Sequence, residues 1–107
     1  MATKPTPPTL VLLVRHGLTP TTRPRLPGRA PGLHLSDAGK AQAETVARRI
    51  APLGDVAAVY ASPLERAKET AAPISAACGL KTQVERGLSE CDFGDWTGRE
   101  LKDLMKL

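Results

Sequence analysis

The segment Leu10-Val-Leu-Leu-Val-Arg-His-Gly-Leu-Thr19 predicts a buried strand that is followed at once by basic and polar residues. Residues 10–14 are an uninterrupted apolar run without polar alternation, which is typical of a parallel strand buried on both faces. Arg15, His16 and Gly17 follow at once, so they lie where that strand ends. Because ligands of open α/β sheets bind beyond the carboxyl ends of the strands, we expect a binding site directly after residue 14.

The rest of the chain predicts alternating helices and strands. A first helix, capped by Ser36, is expected to run to about Ala51, and a strand is expected at Val56–Ala61. A second helix, opened by Ser62-Pro63, is expected to reach Ala77, with an interruption at Pro73 and a stop at Gly79. An edge-like strand at Lys81–Val84 and a helix from Trp96 to Leu107 are expected to follow. This alternation predicts the α/β class with a parallel sheet and right-handed crossovers. Residues 1–9 are rich in Pro and Thr and predict a disordered leader before a domain over residues 10–107.

Composition allows one small soluble domain or part of a larger one, since the chain has 107 residues of which 41% are hydrophobic. It contains no apolar run near the roughly 20 residues of a membrane span, and its N-terminus does not read as a secretory signal, so we expect a cytoplasmic protein without membrane association. Cys78 and Cys91 are too far apart for a CxxC motif and predict free thiols. The net charge of +4 fits an anionic substrate.

Four motifs follow one another along the chain, and together they resemble the histidine phosphatase superfamily, the phosphoglycerate mutase-like proteins. They are Leu-Val-Arg-His-Gly-Leu-Thr at 13–19, Leu-Ser-Asp-Ala-Gly-Lys-Ala-Gln-Ala at 35–43, Ala-Ser-Pro-Leu-Glu-Arg-Ala-Lys-Glu-Thr-Ala at 61–71, and Leu-Ser-Glu-Cys-Asp-Phe-Gly-Asp-Trp-Thr-Gly at 88–98. The resemblance covers residues 10 to about 105. It implies a three-layer α/β/α fold with a mainly parallel sheet.

The resemblance also implies the roles of four residues. His16 is the residue that becomes phosphorylated, Arg15 and Arg66 hold the phosphoryl oxygens, and Glu90 donates a proton to the leaving group. Two guanidinium groups can neutralise a phosphoryl group bidentately, so no metal and no organic cofactor is expected. Asp92 is the rival of Glu90 for the acid role.

Two alternatives remain open for the binding residues. Arg66 could instead be a surface arginine paired to Glu65 or Glu69 on its own helix. Gly28 and Arg29 resemble the family's substrate-contacting loop, although an ordinary turn glycine and a solvated arginine are equally compatible with the sequence.

Two further positions complete the predicted phosphate site. Gly17 would let a substrate approach the backbone closely. Thr22 stands where a phosphate-binding Asn is common in the family, and its hydroxyl can still donate one hydrogen bond.

The chain departs from the family pattern in three respects. Leu18 replaces an acidic or amide residue. The family's second histidine belongs to a later His-Gly motif, and His34, in a loop before Ser36, is not its replacement. Because members continue for roughly as long again after Trp96-Thr-Gly, we expect a domain truncated at its C-terminus, with an unpaired sheet edge that either forms a homodimer or lacks its partner segment.

These observations favour a phosphatase that hydrolyses small phosphate monoesters through a phosphohistidine. A phosphomutase of the phosphoglycerate mutase type would use the same residues, and a catalytically impaired anion-binding fragment is the third hypothesis. Nucleic-acid binding is not expected, because the basic loop has no aromatic residue to stack on bases.

Overall fold

The computed structural model describes residues 8–20, 29, 32–89 and 97. Its helices and strands are α1 (Asp37–Ile50), β1 (Val59–Ala61), α2 (Glu65–Cys78) and β2 (Thr82–Val84), with short 3₁₀ turns at Ala51–Leu53 and Arg86–Leu88. Within these described ranges, no helix is long and apolar enough to cross a membrane. Residues 1–7 of the expected leader at 1–9 lie outside the described residues, as does the expected helix from Trp96 to Leu107 except for residue 97.

Helix α1 begins and ends as predicted. The Ser36 hydroxyl accepts a hydrogen bond from the Gly39 N–H at 3.1 Å, and Ala51 is the C-terminal cap residue. Ala43, Ala47 and Ile50 recur at helical spacing and are buried. The helix therefore follows from a local capping signal and one apolar stripe.

The two strands pair in parallel, with α2 as the connection between them. Val59 lies opposite Thr82, and Ala61 opposite Val84. This arrangement confirms the predicted α/β class with parallel strands. The first of the two strands is shorter than the predicted Val56–Ala61, because pairing with a three-residue partner extends only over Val59–Ala61.

Helix α2 starts later than predicted. Ser62 is not its cap: Leu64 holds that position, and its carbonyl accepts from the N–H groups of Ala67 and Lys68 at 3.1 Å each. The sheet explains the delay, since the Ala61 carbonyl still accepts from Glu85 N–H at 2.8 Å and keeps the chain extended there.

The second half of α2 contains the predicted interruption at Pro73 and is followed by the predicted stop at Gly79. Pro73 lies inside the helix without ending it. Gly79 ends the helix as predicted, in the left-handed conformation with φ of 68°.

The predicted strand at residues 10–14 is wrong for the described structure. These residues form no strand, and their side chains are exposed, Leu13 by 90%. A strand needs neighbours for its N–H and C=O groups, and within the described part of the chain β1 and β2 pair with each other. The core lies elsewhere, where Ala47 and Ile50 of α1 pack with Ile74 of α2.

Candidate active site

The segment after residue 14 lies against both helices and forms one side of an open cleft of about 500 Å³. The cleft is lined by Arg15, His16, Gly17, Leu18, Ala41, Gln42, Ala43, Thr45, Val46 and Thr70. The segment 15–17 meets the helix after β1 at Thr70, and the cleft lining does not include Ser62 or Pro63.

Glycine is required at positions 17 and 39 by the contact between this segment and α1. A Cβ atom on Gly17 would lie closer than 3.0 Å to the backbone of Gly39, and one on Gly39 would also lie closer than 3.0 Å to the backbone of Leu18. Real Cβ atoms do not approach other atoms so closely. The first turn of α1 therefore lies where a side chain at position 17 would be, and the Gly17 backbone also lines the cleft.

Helix α2 holds the segment through a buried threonine. The Gly17 N–H donates to Thr70 Oγ1 at 3.1 Å, and the Thr70 hydroxyl donates to the backbone carbonyl of Arg66 at 2.8 Å. Thr70 is only 5% exposed, so water competes little for these bonds. The peptide that follows His16 is thus tied to the first turn of α2.

Helix α1 holds the next residue, Leu18. Its N–H donates to Gln42 Oε1 at 2.9 Å. Its carbonyl accepts from the N–H of Ser36 at 2.9 Å and from the Ser36 hydroxyl at 3.1 Å. Both polar backbone groups of Leu18 therefore have partners on α1 or at its cap.

The imidazole of His16 is oriented by its neighbour. His16 Nδ1 lies 2.7 Å from the carbonyl oxygen of Gly17. A carbonyl can only accept, so Nδ1 carries the proton, and in the neutral ring Nε2 keeps its lone pair. His16 is half-buried and lines the cleft.

The two predicted arginines occupy different environments. Arg15 is exposed and lines the cleft. Arg66 is 1% exposed, so the alternative of a surface arginine on α2 is wrong. Its backbone carbonyl is joined to Gly17 through Thr70, which places the start of α2 close to the histidine.

Other predicted residues fall outside the described part of the chain or away from the cleft. Glu90, its rival Asp92, Thr22 and Gly28 lie outside the described residues. His34 is absent from the cleft lining: its Nδ1 lies 3.0 Å from Glu69 Oε2.

Two carboxylates of α2 hold the backbone that leads into α1. Glu69 Oε1 accepts from the Leu35 N–H at 2.9 Å. Burial raises the pKa of Glu69, but this hydrogen bond and the His34 pair outweigh it and hold the pKa below its ordinary value. The backbone N–H groups of Glu65 itself and of Gly32 likewise lower the pKa of Glu65.

Sequence reasoning assigned no role to Gln42 or Thr70, and it considered Glu69 only as a possible partner of Arg66. A signal was available, because each lies inside one of the quoted motifs, at 35–43 or 61–71. Polar side chains at these helical positions do not build a core, and their contacts with residues 17, 18 and 35 explain their presence.

Comparison with known proteins identifies the family of this chain. The profile of the histidine phosphatase superfamily (branch 1) matches residues 11–107. The uncharacterized protein Rv0525 of Mycobacterium tuberculosis is 49% identical over 82 residues, which are 77% of this chain and 40% of that protein. Phosphoglycerate mutase-like protein 4 of Arabidopsis thaliana is 37% identical over 98 residues, 91% of this chain and 43% of the relative.

Solved structures share the fold. The mycobacterial glucosyl-3-phosphoglycerate phosphatase Rv2419c has a TM-score of 0.78 at 28% identity, covering 85% of this chain and 42% of that one. A putative alpha-ribazole-5'-P phosphatase of Escherichia coli has a TM-score of 0.74 at 34% identity, covering 87% and 46%. The chain spans less than half the length of these four proteins. The resemblance predicted from the four motifs is confirmed, and the chain belongs to the histidine phosphatase superfamily, with a phosphoglycerate mutase-like α/β fold.

Proposed function

We propose that this chain carries the phosphoryl-accepting site of a phosphatase for small phosphate monoesters, with His16 as the nucleophile. The observation that carries the proposal is the 2.7 Å hydrogen bond from His16 Nδ1 to the Gly17 carbonyl, in a residue that lines the cleft. This bond leaves the Nε2 lone pair available, and it fixes the ring before a substrate arrives.

The reaction takes place in two displacements. The Nε2 lone pair attacks phosphorus, the P–O ester bond breaks, and the leaving oxygen takes a proton from Glu90, for which the family resemblance is the support. The ring becomes positively charged as the P–N bond forms, and the Gly17 carbonyl stabilises the Nδ1–H of that cation. Water then attacks phosphorus and gives its proton to the Glu90 carboxylate, and the P–N bond breaks to release inorganic phosphate.

The guanidinium groups of the two arginines neutralise the negative charge of the phosphoryl group. The N–H groups of Gly17 and Leu18 already donate to Thr70 and Gln42, so these two backbone donors are committed to the protein itself. Arg15 lines the cleft and supplies a guanidinium there. We assign Arg66 the same role, because it lies in the first turn of α2. The proposed chemistry requires neither a metal nor an organic cofactor.

The relatives support the phosphatase assignment, and two of them support a second candidate. The solved structures named above are of phosphatases, and a phosphoserine phosphatase of Entamoeba histolytica also shares the fold, at 31% identity. Phosphoglycerate mutase-like protein 4 and the probable phosphoglycerate mutase GpmB of Yersinia enterocolitica carry mutase names. A mutase would use the same His16 and return the phosphoryl group to a bound phosphorylated intermediate instead of water.

The test is transfer of labelled phosphorus from a small aryl phosphate. The expected label on the chain survives alkali, is lost in acid, is absent from His16→Ala, and persists in the matched variant His34→Ala. Release of the label as inorganic phosphate supports the phosphatase, and transfer into added phosphoglycerate supports the mutase. If vanadate binds but no label is incorporated, the chain is an anion-binding fragment and the proposal is wrong.

A further inference from the structure

We infer that Gln42 is a positioning residue for His16, and that it acts through the peptide unit between Gly17 and Leu18. The inference deepens the proposed function, since it concerns the residue to which that function assigns the nucleophilic nitrogen. It adds to the site a side chain of α1 that makes no direct hydrogen bond to the imidazole.

Two hydrogen bonds meet on this one peptide unit. Its carbonyl oxygen, on Gly17, accepts from His16 Nδ1 at 2.7 Å. Its N–H, on Leu18, donates to Gln42 Oε1 at 2.9 Å. Because a peptide unit is planar, the N–H and the C=O cannot turn independently. Gln42 therefore holds the orientation of the carbonyl that holds the histidine.

The same arrangement has an electronic consequence. An amide that donates through its N–H is polarised, and its oxygen becomes a better acceptor. The bond to Gln42 thus strengthens the Gly17 carbonyl as a partner of Nδ1–H. This favours the tautomer with a free Nε2 lone pair and stabilises the positive ring that forms when Nε2 takes phosphorus.

Among the described residues, Gln42 is the only side chain of α1 that accepts a hydrogen bond from the Leu18 N–H. The close approach of Gly39 to Leu18 brings the helix against the segment, and Gln42 follows three residues later, on the same side. Its side chain is exposed and belongs to no core cluster, so it can be replaced without disturbing packing.

The experiment compares three single variants of the chain. Gln42→Met keeps the length of the side chain and removes the acceptor, whereas Gln42→Glu keeps an oxygen that accepts from the Leu18 N–H. Glu44→Met is the matched control, an exposed position two residues further along the same helix.

The first measurement is the tautomer of His16, read from the ¹⁵N chemical shifts of its ring nitrogens without substrate at about pH 8, where an ordinary imidazole is neutral. The expected ratio of Nδ1–H to Nε2–H falls about fivefold in Gln42→Met, the factor that corresponds to one typical hydrogen bond. It is unchanged in Glu44→Met and equal or higher in Gln42→Glu. His34, the only other histidine of the chain, donates from Nδ1 to Glu69 and is the internal reference that stays constant.

The second measurement is the rate at which His16 takes up phosphorus from a saturating aryl phosphate. This rate is expected to fall about fivefold in Gln42→Met. Because Gln42 lines the cleft, the carboxylate of Gln42→Glu repels an anionic substrate, so rescue by that variant is read from the tautomer. An unchanged His16 tautomer in Gln42→Met, with His34 at its reference position, overturns the inference. If the tautomer shifts as expected but even the unsubstituted chain takes up no phosphorus, the positioning role stands and the proposed function fails.

Discussion

Replacing Gly39 by alanine tests the contact that shapes the cleft. In an ordinary helix, Gly→Ala stabilises by about 0.5–1 kcal/mol, because alanine loses less backbone freedom on folding. At position 39 the new Cβ would lie closer than 3.0 Å to the backbone of Leu18, where ordinary contacts begin at 3.4 Å. The segment carrying Leu18 must therefore move away from α1.

The cost of that movement can be estimated from the bonds it breaks. The Leu18 carbonyl accepts two hydrogen bonds from Ser36, at 2.9 and 3.1 Å, and each contributes about 1 kcal/mol. Losing both costs about 2 kcal/mol, and the helix preference of alanine returns about 0.5–1 kcal/mol. The expected net loss in the free energy of unfolding is about 1–1.5 kcal/mol.

The assay is urea unfolding followed by far-ultraviolet circular dichroism, with the midpoint and the slope fitted separately. Lys40→Ala is the matched control, since Lys40 is the next residue of α1 and is exposed; its effect should stay within about 0.5 kcal/mol. A Gly39→Ala chain as stable as the unsubstituted one, or more stable, would refute the close approach of α1 to residues 17–18.

Four further outcomes are expected. Ser36→Ala should lower the free energy of unfolding by about 1–2 kcal/mol in the same urea assay, because the cap of α1 and a bond to Leu18 are both lost. The pKa of Glu69 lies below its ordinary value of 4.5, so its contribution to stability is present above pH 4.5 and is lost as the pH falls through the lowered pKa. The stability difference between the unsubstituted chain and Glu69→Gln should therefore shrink as the pH is lowered below 4.5. Millimolar vanadate should raise the melting temperature, and Arg15→Ala should abolish the shift while Arg48→Ala, an exposed arginine of α1 outside the cleft lining, retains it. The exposed apolar residues 10–14 should cause self-association, which light scattering would detect as a mass above 11.4 kDa; a monomer at every concentration would count against a role of this run in association.

The features that sequence reasoning predicted correctly depend on local signals. Ser36 caps α1 and Gly79 ends α2, and each effect operates over three or four residues. Residues 10–14 show the opposite case: an apolar run indicates that a segment favours burial, but a strand also needs a neighbour that the run itself cannot specify. Ser62 failed as a cap for a related reason, because pairing between Ala61 and Glu85 keeps the chain extended there.

The residues of the candidate site also differ in whether a local signal predicts them. Arg15 and His16 could be identified from a contiguous motif at the end of the apolar run. Gln42 lies 24 residues from its partner Leu18, and Thr70 lies 53 residues from its partner Gly17. No local pattern predicts which backbone N–H group each of these side chains will bind. The glycine at position 17 was predicted, but its physical reason, contact with Gly39, required the packing of α1 to be known.

The position of phosphorus on the imidazole ring of His16 is the decisive test of Nε2 as the nucleophile. The chain would be phosphorylated with a small phosphoryl donor and the modified ring examined by ³¹P and ¹⁵N NMR in alkali, where phosphohistidine persists. Because Nδ1 donates to the Gly17 carbonyl, the phosphoryl group is expected on Nε2 of His16. Phosphorus on Nδ1, or on any residue other than His16, would contradict the account.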